Sequence, residues 1–120
     1  MRRGWRTAGQ AAALLAAALL AGPAAGETVI AGKSAQAVRC AAYIGMAAQY
    51  GHIEGLVSTE SRMRMTWWSV LVLERWVLLA PEARMAAYRS ALAELGTRKH
   101  TYALIEKHAD WCIDTFRPML

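Results

Sequence analysis

Cys40 and Cys112 are the only two cysteines in the chain. If they are bonded, they fix which ends of the molecule meet. That narrows the topologies open to a small protein more than any other feature here. In an exported protein an even count predicts one disulfide, with two buried free thiols as the alternative. The compartment therefore has to be read first.

The opening of the chain has the three-part layout of a secretory signal peptide. Arg2, Arg3 and Arg6 supply the positive start, residues 10–21 form an uncharged apolar run, and Gly22-Pro23 breaks it ahead of the small residues Ala24, Ala25 and Gly26. The run is shorter than the roughly 20 residues that cross a bilayer. The sequence thus predicts a leader over residues 1–26 and a single helical domain over 27–120. The mature chain is expected in the periplasm or secreted, with no transmembrane segment. Losing the three leader arginines takes the net charge from +5 to +2. A nucleic-acid binder keeps a basic stripe, so that class of partner is set aside.

From Ser34 the chain becomes alanine-rich, and Ser34 and Gly51 are the expected N-cap and C′ residues of a first helix. Ala37, Ala41, Gly45 and Ala48 recur every three or four positions and give it a face of small side chains. Such a face lets another helix approach closely. Gly55 breaks the chain, and Ser58 or Thr59 caps a second helix running to about residue 80. Pro81 suits the first position of a third helix. That helix carries a stripe of Met85, Tyr88, Leu92 and Leu95 and stops at Gly96. Thr97 caps a fourth, whose apolar face holds Tyr102, Ile105, Ala109, Cys112, Ile113 and Phe116. No stretch alternates with a period of two. The expected fold is all-α, a small antiparallel four-helix bundle. In it the start of the first helix lies beside the end of the fourth. Cys40 and Cys112 then share a pole, and one disulfide joins the first and last helices. It would close a loop of about 70 residues and contribute roughly 4 kcal/mol.

The second helix contains Trp67, Trp68 and Trp76 in an apolar run broken only by Ser69, Glu74 and Arg75. At about 100° per residue, Arg62, Thr66 and Ser69 form one narrow polar face. A helix apolar nearly all round is buried or in a membrane. Glu74 and Arg75 in mid-run argue against the membrane, so this helix is expected to lie mostly shielded in the bundle. Whatever apolar surface stays exposed marks a partner site. Trp67, Trp68 and Trp76 are therefore the candidate partner surface, for another protein or a second copy.

Arg62 and Arg64 open the second helix, and Arg98, Lys99 and His100 open the fourth. Cations at helix starts oppose the macrodipole, which makes these five a candidate site for an anion or an acidic partner. His108 and Cys112 are four apart, but a disulfide removes the thiol and leaves too few ligands for a metal. No nucleophile elbow, zinc-binding helix or phosphate loop is present, and no cofactor is implied. The segment Cys40-Ala-Ala-Tyr43-Ile44-Gly45-Met46 resembles the helix of a group of periplasmic immunity proteins. Their pattern runs Cys, Gly, Tyr, Ile, then Gly two positions on; here Ala42 replaces the first glycine and the second is displaced to Gly45. This resemblance implies an exported helical protein that acts by binding a partner.

The sequence therefore predicts binding and not catalysis: protein–protein interaction in an inhibitory, immunity-like or accessory role. A periplasmic carrier of a small hydrophobic ligand or lipid is the alternative. The two differ structurally. A carrier should have an apolar cavity between the second helix and its neighbours; an interaction protein should have a flat exposed tryptophan patch. An enzyme should have convergent polar groups in a cleft.

Overall fold

The computed structural model describes residues 30–117. The proposed leader over residues 1–26 lies outside the described residues. Four helices follow one another: α1 (Gly32–Ile53), α2 (Thr59–Trp76), α3 (Pro81–Leu95) and α4 (Arg98–Thr115). The described residues contain no strand. The all-α antiparallel bundle holds, and its disulfide joins α1 to α4.

The helix at the centre is α1, not the tryptophan helix. It packs against all three of the others. Ala37, Ala41, Gly45 and Ala48 are all buried, together with Val38, Cys40, Ala42, Ile44 and Gly51. Small side chains explain this: a helix with so thin a surface can be approached from several sides at once. By contrast α2 rests chiefly on α1. Its buried residues are Trp68, Ser69, Val72 and Leu73, with Val77 just beyond its end.

Several boundaries differ from expectation for local reasons. The N-cap of α1 is Ala31, and Ser34 lies inside the first turn, where its hydroxyl donates to the Trp76 carbonyl at 2.9 Å. That bond ties the start of α1 to the end of α2. At the other end α1 runs past Gly51. The Leu56 N–H bonds the Gly51 carbonyl at 2.8 Å and the Gly55 N–H bonds His52 at 3.1 Å, the paired bonds of a Schellman stop. Gly55, at φ +76°, is its left-handed residue. The second helix ends at Trp76, four residues early: Val77 leaves helical geometry at φ −108°, ψ 88° and turns into the core, and Pro81 keeps Ala80 extended. Ser58 and Thr97 cap α2 and α4, accepting from the N–H groups of Ser61 and His100, each at 3.1 Å.

The bridge sits where the topology requires. Cys40 and Cys112 are bonded, 72 residues apart in sequence, with Cα atoms 5.4 Å apart. Both are buried. Beyond them fully buried Phe116 meets the edges of Trp76 and Trp111, ring centres at 5.3 and 5.9 Å, and closes this pole.

Candidate binding cleft

Only the far end of the polar face of α2 is turned inward, with Thr66 left exposed. Ser69 is buried, and its hydroxyl donates to the Met65 carbonyl at 3.3 Å. Arg62, one helical face along from it, is half-buried. The residues on the far side of α2 are large and apolar yet exposed: Met63 at 63% and Trp67 at 60%. Burial alone would favour the reverse arrangement.

Between α1, α2 and α3 this leaves a cleft of about 330 Å³. Met46, Val70, Leu73, Met85, Tyr88 and Leu92 supply its apolar walls. Gly45 forms part of its floor for a steric reason. A Cβ there would stand 2.6 Å from the Tyr88 hydroxyl, so a side chain at this position would push Tyr88 back from its present reach across from α3 to α1. Burial raises the Tyr88 phenol above its ordinary pKa. At Gln49 and Thr66 the cleft adjoins an open groove of about 830 Å³ on the flank of α2, which also holds Glu60, Arg62, Met63, Arg64 and Trp67. The inner part has no charged lining residue; the outer part has three.

A second depression of about 510 Å³ lies over the disulfide, between α1 and α4. Tyr43 and His108 stack across it, ring centres 5.5 Å apart and planes within 15°. Burial raises the Tyr43 phenol; nearby Arg39 lowers it and Glu94 raises it further. Among the described residues no three metal-ligating side chains gather anywhere.

The candidate residues from the sequence are dispersed. Trp68 belongs to the core at 6% exposure, so it can meet no partner. Trp67 and Trp76 are nine residues apart, about 180° around a helix, and face opposite ways. Trp76, 37% exposed, packs on Phe116. The three tryptophans therefore form no common patch. The five basic residues do not converge either. Arg98 is engaged with the end of α1, bonding Glu54 at 3.4 Å and lying 4.6 Å from the Tyr50 ring centre. Arg64 pairs with Glu60 at 3.1 Å. Lys99 and His100 are exposed, and Arg62 lies at the cleft mouth. His52, near the end of α1, bonds the Val57 carbonyl through Nδ1 at 3.1 Å and steadies the α1–α2 turn.

The wheel pattern alone hid the cleft. The sequence grouped Met85, Tyr88 and Leu92 as one stripe and Arg62, Thr66 and Ser69 as one face, but gave no sign that the two faced each other across Gly45. Gln49 and Met46 carried no signal. No family model, curated protein or solved structure matches this chain.

Proposed function

We propose that this chain is a non-catalytic binding protein that carries an apolar chain-like ligand in the cleft between α1, α2 and α3. One observation carries the reading. A largely apolar cavity lies against α2, beside a groove bearing exposed Trp67 and Met63, and their shared border at Gln49 and Thr66 gives a route inward. The cleft volume falls within the range of small-molecule sites, and the methionines Met46, Met63 and Met85 suit irregular apolar ligands. The scattering of the tryptophans speaks against a flat tryptophan interface. The disulfide, and the lack among the described residues of a helix long and apolar enough to cross a membrane, are compatible with an extracellular or periplasmic setting.

A second reading draws on the exposure of Trp67 and Met63: an apolar helix of a partner protein lies along the outer groove. That partner would engage the groove without entering the cleft.

The test uses N-phenyl-1-naphthylamine, a neutral dye that fluoresces in apolar sites. Protein unfolded and refolded to remove copurified lipid should give a saturable rise in dye emission. Thr66→Phe, at an exposed border position, should weaken binding about tenfold or more with the melting temperature unchanged. No saturable signal, or full binding by the variant, would overturn the carrier reading.

A further inference from the structure

Resting on the cleft reading, we infer that the ligand is an amphiphile with an anionic head, a carboxylate or phosphate, seated at Arg62. Charge is graded along the site. The inner walls are uncharged, whereas Glu60, Arg62 and Arg64 line the outer groove. Glu60 and Arg64 satisfy each other at 3.1 Å. Arg62 forms no ion pair among the described residues, and so the site carries one uncompensated positive charge. It is also half-buried, two helical turns from buried Ser69 with exposed Thr66 between them, where a charge is screened less than on open surface. Seven residues separate Arg62 from Ser69, about 10 Å along the helix axis. A head at Arg62 therefore leaves its tail running past Thr66 and Gln49 into the uncharged end. A neutral amphiphile would fill the same cleft but leave the guanidinium without a partner. A cationic one would meet it as a like charge.

The experiment is displacement of bound N-phenyl-1-naphthylamine by dodecanoate, dodecyl phosphate and neutral 1-monolauroylglycerol, all below their micelle concentrations. Both anions should displace the dye at about five- to tenfold lower concentration than the neutral ligand, and added salt should narrow the gap. Dodecanoate against dodecyl phosphate separates a fatty-acid source from a phospholipid one. Arg62→Gln should abolish the preference, so that the anions displace the dye at the same concentration as the neutral ligand; Arg62→Lys should keep it. Equal displacement by all three ligands, or a preference that survives in Arg62→Gln, overturns this inference and leaves the cleft reading standing. Failure of every ligand to displace the dye removes both. Sedimentation with phosphatidylglycerol vesicles, without displacement by dodecanoate, assigns the arginine to a bilayer surface and overturns it as well.

Discussion

Two glycines at the end of α1 do different work, and substitution should tell them apart. Gly55 has φ +76° and open space around it. An alanine there is strained by about 1 kcal/mol in the left-handed conformation, without any clash. Gly51 is helical, and alanine should add about 1 kcal/mol of helix propensity. Yet a Cβ at Gly51 would lie 2.5 Å from Val57 Cγ2, and the Val57 N–H is held to the Gly51 carbonyl at 3.1 Å. Val57 cannot retreat without breaking the turn, so overpacking outweighs propensity. Both variants should lose about 1 kcal/mol in urea melts; a more stable Gly51→Ala would show the turn to be pliable. Tyr88 gives a pH test. Its phenol is raised above its ordinary value of 10.0 by burial, so the folded state holds that proton more tightly than the unfolded one. Its contribution is complete below pH 10 and is lost as pH rises through the folded value. Thermal melts of wild type should therefore fall above about pH 10, and Tyr88→Phe should soften that fall.

At the scale of elements, the starts and stops written in single residues were legible: Pro81 opening α3, Gly96 ending it, Ser58 and Thr97 as caps. The small-residue face of α1 was legible too. Rotations of whole helices were not. Ile113, grouped with the apolar face of α4, is 45% exposed, while Thr101 is fully buried, with its hydroxyl donating to the Thr97 carbonyl at 2.8 Å. A hydroxyl satisfied within its own helix behaves as an apolar side chain, so threonine can take a core position that hydropathy assigns elsewhere. The tryptophan helix misled for a related reason. Its apolar residues encircle it, so periodicity could not choose which side faces inward; the thin surface of α1 decided. Because α2 is held chiefly by that one neighbour, it should open more readily than α1 or α4, which the disulfide joins. In native-state hydrogen exchange, amides of residues 65–75 should exchange before those of residues 38–48. Equal protection would mean that α2 belongs to the same cooperative unit.

At the scale of the molecule, the question is what holds a thin central helix among three others. Its buried side chains are mostly alanines, each of which removes little apolar surface from water, so the usual source of stability is weak. The Cys40–Cys112 bond acts on the other side of the equilibrium. It closes a loop of 72 residues, and the chain-entropy account assigns that closure about 4 kcal/mol through the unfolded state. That is comparable with the low end of the net stability of ordinary domains, about 5–15 kcal/mol. Both cysteines are buried, so a reductant must wait for the fold to open. Two behaviours follow together. Under native conditions the bond should reduce slowly, at a rate that climbs once urea populates the unfolded state. Once reduced, or in a Cys40→Ala and Cys112→Ala double variant, the protein should melt about 15 °C or more below the oxidised form. Circular dichroism melts with and without reductant measure this directly. A reduced protein that melts within a few degrees of the oxidised one would move the source of stability to the packing around Phe116, Trp76 and Trp111.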